Sequence, residues 1–550
     1  MWRDPGHASV TQFRQRRGAL HDPRAEVVRS TAAWLAGDMA GSAALASALE
    51  GRTGAPGLAF AASDALRLLV DGNPPAALAV ARRGLAMAAD EAIHGFDAWL
   101  HLLCAASALA QNDVAAARAD LDAAASLPLR RGDRAFVHYL RSGLARASAE
   151  PGAALREDRS AAVLAVESGL PWLECVARLA MAQMLGAARE RASAEAQVRS
   201  ALALAQRLSS TLLRVSALFT QAGVALDCGD EAAALAPLHE AFTLAREIGA
   251  HHAPGLAEPA MAALCAVALR NGIAVEHARL IVTSGRLAPP PAALRLRAWP
   301  WAFEITTLGG FGLHRAGAPI EFSAKGPGRP VELLKVLVSM GGQNVRADLL
   351  ADALWPHVDA DYAHKSFTAT LHRLRRIFGG DDALRLSDGR LSLNATQFWL
   401  DTWATEHLLN EIDACLRADD ARAAAPTLSA LITELLALYR GPYLPDEAEQ
   451  PAYIARREQL RARLLRALTR LARRWEDRQD DEAAVDCYLR FIDADELCEP
   501  FYRNLMLCYQ RRGEVAEALA TYDRLHAVLA ARLRSTPSPE TQAIHTGLRG

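Results

Sequence analysis

The sequence predicts a mainly α-helical chain: an N-terminal solenoid of helical hairpins, a central domain with small β-sheets, and a C-terminal helical-repeat domain. Three observations predict it. From Glu26 to Val282 the chain is rich in alanine and leucine, has helical periodicity and carries almost no strand signal. Between residues 301 and 393 alternating patterns and glycine turns appear. After Asp401 the helical period returns and holds to the end.

The N-terminal helices come in pairs. One covers Trp99–Leu127 and breaks at Gln111-Asn112-Asp113; a second covers Trp172–Leu208; a third covers Leu212–Ile248 and breaks at Cys228-Gly229-Asp230. The last two begin ~40 residues apart, a spacing found in helical solenoids. Ala222, Ala225, Ala233 and Ala241 are small enough to let helices approach, and Gly229 turns the chain. Arg286–Pro300 breaks the pattern with three consecutive prolines, which favour extended chain and mark a boundary.

The next hundred residues carry the informative pattern. Phe303, Ile305 and Thr307 alternate with polar neighbours, and Gly309-Gly310 and Ala316-Gly317 divide this run from Phe311, Leu313, Ile320 and Phe322. That predicts a small antiparallel sheet. A helix from Pro330 to Met340 has one apolar face (Leu333, Val336, Leu337, Met340) and stops at Gly341-Gly342. A second helix, Arg346–Trp355, ends at Pro356. Arg346 has no side-chain oxygen to cap it, which leaves Asn344 as the substitute cap. The third helix, Asp361–Phe378, places Phe367, Leu371, Leu374 and Phe378 on one stripe. Lys365, Ala369, His372 and Arg376 lie opposite, with Arg373 beside them. LRLSDGRLSL follows, a hairpin around Asp388-Gly389.

Sheet, three helices and hairpin is the winged-helix order. The third helix would enter a DNA major groove, with Arg385 and Arg390 beside the wing tip, where cations meet phosphates. The helix alone reads better as an ordinary amphipathic helix with a solvated basic face; its neighbours favour DNA.

After Asp401, Tyr439-Arg440-Gly441-Pro442-Tyr443-Leu444-Pro445 interrupts the helices. An arginine-rich helix, Arg456–Arg474, has a leucine seam of Leu460, Leu464, Leu465, Leu468 and Leu471. Its arginines read as a solvated face, or else as a surface for DNA or acidic partners. Two more helix pairs and a Ser535–Thr541 loop complete the chain.

Residues 300–550 resemble the C-terminal portion of bacterial regulators that join an OmpR-type winged helix to a bacterial transcriptional activator domain, as in the SARP family. WAFEITTLGGFGL, GRPVELLKVLVSMGGQNV, LLADALWP, TLHRLRRIFGG with LRLSDGRLSL, YRGPYLPDE, EALATYDRL and STPSPET carry the resemblance in order. The N-terminal repeats look like divergent tetratricopeptide repeats of larger members. The resemblance implies a tail (1–25), tetratricopeptide-like repeats (26–285), a proline-rich linker (286–300), a winged-helix domain (301–400) and an activator domain with a tetratricopeptide-like fold (401–550).

It also implies sequence-specific binding of double-stranded DNA and transcriptional activation. Carried over by position, Lys365, Thr368, His372, Arg373 and Arg376 are the major-groove candidates, and Arg390 the wing candidate. The C-terminal repeats would aid homodimerisation or contact RNA polymerase. The N-terminal repeats would present a surface to a protein, peptide or small ligand. The alternative is a repeat-based interaction scaffold whose winged helix reads nothing.

Composition narrows the rest. The formal net charge of −2 neither suggests nor excludes nucleic acid. Eight cysteines form no CxxC pair, which fits reduced buried thiols better than disulfides or zinc. The N-terminus has no apolar signal core, and no apolar run spans a bilayer, so a cytoplasmic protein is expected. Larger relatives in this resemblance carry an ATPase. This chain has no GxxxxGK[ST], and Lys325-Gly326-Pro327-Gly328 has the wrong spacing. His251-His252 point different ways and make a poor metal site, and no nucleophile stands beside a base in a recognisable motif. No enzyme activity, cofactor or metal is expected.

Overall fold

The computed structural model describes residues 53–320, 328–417, 425–447, 450–476 and 481–549, with a few isolated positions before 53. The expected tail, the first residues of the repeats, Phe322, most of Lys325–Gly328 and Asp480 lie outside the described residues. The chain divides into two compact units, Met1–Pro290 and Pro291–Gly550.

The first unit is built of helical hairpins: α1 (Gly54–Val70) with α2 (Pro74–Asp90), α3 (Asp97–Ala110) with α4 (Val114–Ala125), and α5 (Arg131–Ala147) with α6 (Pro151–Ser168). Next come α7 (Pro171–Ala187) with α8 (Arg191–Arg207), α9 (Thr211–Asp227) with α10 (Glu231–Glu247), and α11 (Glu258–Arg270) with α12 (Val275–Ser284). The breaks expected at 111–113 and 228–230 are the observed turns, and each has an Asp cap: Asp113 accepts from Ala116 N, and Asp230 from Ala233 N. Gly229 turns the chain at φ +81°. Ala222, Ala225 and Ala241 are buried as expected, whereas Ala233 is exposed and Ala234 takes the contact position. Each hairpin shields its neighbour. Ion pairs set about one repeat apart, Arg82–Asp120 and Arg191–Asp230, stitch the stack.

In the second unit the proline stretch is not extended throughout. Pro291–Arg295 forms a 3₁₀ turn, and Arg295 reaches both Glu411 (3.0 Å) and Glu434 (2.9 Å). Strands β1 (Phe303–Thr306), β2 (Gly312–Arg315) and β3 (Ala318–Pro319) form the expected antiparallel sheet. Helix α13 (Gly328–Ser339), strand β4 (Val345–Arg346), α14 (Ala347–Leu354) and α15 (Ala360–Phe378) follow. The hairpin β5 (Leu384–Ser387) and β6 (Arg390–Leu393) turns at Asp388 (φ +50°) and Gly389 (φ +68°). These left-handed angles are those of the tight turn that Asp-Gly favours.

Two strands escape the sequence. Strand β7 (Phe398–Leu400) pairs parallel with β1, making a four-stranded sheet in the order β3-β2-β1-β7. Strand β4 pairs with β6, making a three-stranded sheet in the order β4-β6-β5. Segments of two or three residues show no periodicity, so only a partner strand defines them.

The remaining helices are α16 (Asp401–Arg417), α17 (Ala425–Leu438), α18 (Pro451–Glu476), α19 (Asp481–Ala494), α20 (Glu499–Arg511), α21 (Val515–Leu533) and α22 (Pro539–Leu548). All of these but α22 share one hydrophobic core with the sheets and the three helices before them. The Tyr439–Pro445 interruption joins the two halves. Leu444 N donates to Thr307 O, Gly309 N donates to Pro442 O, and Arg457 donates to the carbonyls of Tyr443 and Leu444. Gly309 is required there, because a methyl on it would lie 2.8 Å from Arg440 O.

The arginines of α18 are divided: Arg466, Arg470 and Arg473 are exposed, as expected of a solvated face, while several are held by partners within the unit. Arg456 is buried and bonded to Glu406, Arg470 pairs with Asp413, Arg461 pairs with Asp495, and Arg474 donates to Leu416 O. Glu406 and Asp413 of α16 hold Arg456 and Arg470, partners that no local pattern reveals.

Candidate nucleic-acid interface

Helix α15 has the two faces the sequence predicts. Ala363, Phe367, Leu371, Leu374 and Phe378 are buried, and the three aromatic rings of Phe303, Phe378 and Phe398 pack at 4.8–5.0 Å between centroids. That seam locks the rotation of the helix. Asp359 caps its start by accepting from Asp361 N, and Gly379 ends it at φ +87°.

The opposite face is open. Lys365, Thr368, Ala369, His372, Arg373 and Arg376 are all exposed. At ~100° per residue they spread over ~140° of the helix surface. Three of the candidates have local bonds. The Thr368 hydroxyl donates to His364 O at 3.0 Å, so its lone pairs remain to accept. Arg373 Nε donates to Ala369 O at 3.3 Å, one turn back along the helix. Arg390 Nη1 donates to Asn344 O at 3.1 Å. Among the described residues, Lys365, His372 and Arg376 make no ion pair.

Arg375 behaves differently from its neighbours. It is half-buried and donates to Leu384 O at 2.9 Å, with Asp381 Oδ1 at 3.3 Å. It ties α15 to the first strand of the hairpin. The hairpin is tied to α14 as well, because Ala347 N donates to Gly389 O at 2.8 Å. The hairpin turn thus takes the first free N–H of a helix whose cap residue, Arg346, supplies no side-chain bond. Asn344 does not cap α14: it sits at φ +56° and donates its N–H to Ser392 Oγ. Asp348 instead accepts from Leu349 N and from the Arg346 guanidinium.

Register gives the hairpin two faces. Leu384 opposes Leu393 and Leu386 opposes Leu391, toward the core, although Leu386 is 42% exposed. Arg385 opposes Ser392, Ser387 opposes Arg390, and Arg390 opposes Arg346 of β4. Arg385, Arg390 and Arg346 therefore share the outward face. Arg346 joins this group only through β4, which has no signal in the sequence. Its charge is offset by Asp348, so Arg385 and Arg390 are the open cations.

The N-terminal end of α15 is acidic and apolar: Asp359 and Asp361 are exposed there beside Tyr362. The cationic surface begins at Lys365. Among the described residues no group of three or more His, Cys, Asp or Glu side chains is placed to hold a metal ion, and no helix is long and apolar enough to cross a membrane.

These features define a helical protein with a cationic helix and hairpin set into a shared core. Residues 400–549 match the family described as the bacterial transcriptional activator domain. The chain is 29% identical over 248 residues to the regulatory protein AfsR of Streptomyces griseus, a match covering 44% of this chain and 24% of that protein. It therefore spans about a quarter of that relative's length. Among solved structures, Mycobacterium tuberculosis EmbR in complex with a low affinity phosphopeptide aligns with 20% identity and a TM-score of 0.33, over 45% of this chain and 65% of that one. The apo form of RapI aligns with 10% identity and a TM-score of 0.30, over 67% and 91%.

Proposed function

We propose that this chain is a transcriptional regulator that binds double-stranded DNA through an OmpR-type winged helix, with α15 in the major groove and the β5–β6 hairpin as the wing. The observation that carries the reading is the exposed stripe of Lys365, Thr368, His372, Arg373 and Arg376 on a helix fixed from behind by its aromatic seam. An Arg fork matches guanine O6 and N7, a Thr hydroxyl accepts or donates, and Ala369 is small enough to meet a thymine methyl. Arg390 and Arg385 on the outward face of the hairpin suit backbone phosphate. The helical repeats after residue 400 would support a homodimer or meet RNA polymerase, and the N-terminal repeats would receive a regulatory protein, peptide or small ligand.

A protein-interaction scaffold whose winged helix reads nothing would have no need of an unpaired cationic face. The test is selection of genomic DNA fragments by the purified full chain across a salt series. A shared half-site recovered at moderate salt is the expected result. Random fragments that are lost as salt rises would reduce the interaction to phosphate attraction and overturn specific reading.

A further inference from the structure

The connection from α10 to α11 differs from every other in the described repeats. It runs from Ile248 to Ala257, ten residues, where the other connections between residues 54 and 284 have two to six. It is not a loose loop. Ala250, Ala253 and Leu256 are buried. Leu256 N donates to Ala253 O at 3.1 Å around Pro254 and Gly255 (φ +81°), a type II turn. An unusually long ordered connection in a compact array points to a task beyond linking helices.

The segment is held as a bound peptide would be. Gln183 of α7 grips its main chain with both ends of one amide: Nε2 donates to Gly255 O at 2.6 Å, and Oε1 accepts from Ala257 N at 3.4 Å. This two-point bond reads backbone rather than side chains. The turn lies on Val176 of the same helix, where a methyl on Gly255 would sit 3.6 Å from its Cβ. His277 Nε2 lies 3.1 Å from Ala250 O. At the other side, a methyl on Gly72, in the α1–α2 turn, would lie 3.0 Å from His252 Cβ. Stacked hairpins touch mainly their neighbours. The contact with the first hairpin shows that this segment, beyond the fifth, reaches back across the array.

We propose that residues 250–257 are a built-in ligand: they occupy a main-chain-reading site on α7, and a partner polypeptide with small apolar residues around a Pro-Gly turn enters by displacing them. The occupant is argued from what Gln183 bonds, which is backbone, and from what the segment buries, which is alanine and leucine. The charges beside it, Asp71, Arg67, His251 and Arg246, are peripheral to that grip. The proposal stands independently of DNA reading and is tested without DNA.

The probe is a labelled peptide of residues 248–258. It is titrated into the full chain and into a full-chain variant whose residues 250–256 are replaced by a Gly-Ser run of equal length. We expect the variant to bind about tenfold more tightly than the wild type, because the competing segment is gone. Adding Gln183→Ala should remove about tenfold of that gain. Equal binding to both chains, or no binding to a variant with native helical circular dichroism, would overturn the proposal. If the variant does not fold, hydrogen exchange on the wild type decides. Saturating peptide should accelerate exchange within 250–257 alone, and unchanged exchange there would overturn the proposal equally.

Discussion

The Tyr443 hydroxyl lies 2.8 Å from Ser339 Oγ, which itself donates to Lys335 O. The loop that leads into the C-terminal helices is thus bonded to the end of α13, the helix that supports α15. Both side chains are buried, and Lys335 adds an ion pair to Glu447 nearby. The two halves of the second unit therefore cannot shift independently. Tyr443→Phe should cost about 1 kcal/mol, the net value of one buried hydrogen bond, because Ser339 keeps its bond to Lys335 O. Hydrogen exchange in α13 should quicken to match. An unchanged rate would show that the contact does not couple the halves.

Asp401 is the stronger junction. Its carboxylate accepts from Thr307 N, Thr307 Oγ1 and Leu308 N, at the place where β1 ends beside β7. Burial pushes its pKa up, and these three bonds oppose that rise. Asp401→Ala leaves buried donors without an acceptor and should cost about 3 kcal/mol. Asp401→Asn keeps one carbonyl acceptor and should cost less. Exchange rates in residues 303–308 measure both, and an alanine variant as protected as wild type would contradict the role.

The two classes of arginine on the cationic surface should fail differently. Arg373→Ala or Arg376→Ala should cost about 1–3 kcal/mol on the best site and relax its specificity, if that fork reads guanine. Arg390→Ala should weaken all sequences alike and reduce the salt slope by about 1. Binding isotherms at several salt concentrations separate the two patterns. An Arg373/Arg376 double alanine variant with full affinity would refute the placement of α15.

Asp361 is exposed one turn before Lys365, at the start of α15. Its negative charge would repel a phosphate backbone that reached this end of the helix. Asp361→Asn keeps a polar side chain and should strengthen binding about two- to fivefold at low salt, with the gain shrinking as salt rises. Weaker binding would place Asp361 in a base contact instead.

Asp158 supplies a pH signature for the repeats. It is fully buried beside Arg146 and Ser142, and burial raises its pKa from 3.8 to about 6, although Arg146 opposes the rise. The folded state then binds more protons than the unfolded state between those values. This group's contribution is fully present below pH 3.8 and is lost as pH rises through about 6. Relative to Asp158→Asn, which does not titrate, the wild type should lose stability across that window. Paired thermal melts from pH 4 to 7 measure the difference, and parallel curves would contradict it.

The candidate surface was largely legible because a long helix displays its two faces at fixed spacing. Phe367, Leu371, Leu374 and Phe378 reported the buried side, and Lys365, His372, Arg373 and Arg376 the exposed one. The Asp388-Gly389 turn was equally legible, since its left-handed angles demand those residues. The contribution of Arg346 was not: it sits beside Arg390 only because a two-residue strand pairs there. Nor was the pairing of Arg456 and Arg470 in α18, which depends on Glu406 and Asp413 of another helix.

The sequence by itself determined what is local: the helical hairpins and their breaks, the order of sheet, helices and hairpin, and the apolar seam each helix buries. Such features follow from backbone angles and periodicity within a few residues. Only the tertiary structure decided what depends on distant partners. It placed β7 beside β1, bonded Tyr443 to Ser339, tied Arg375 to the hairpin and brought residues 250–257 onto Gln183. These pairings join groups up to 104 residues apart, and no short-range pattern records them because the chain between the partners sets no register for them.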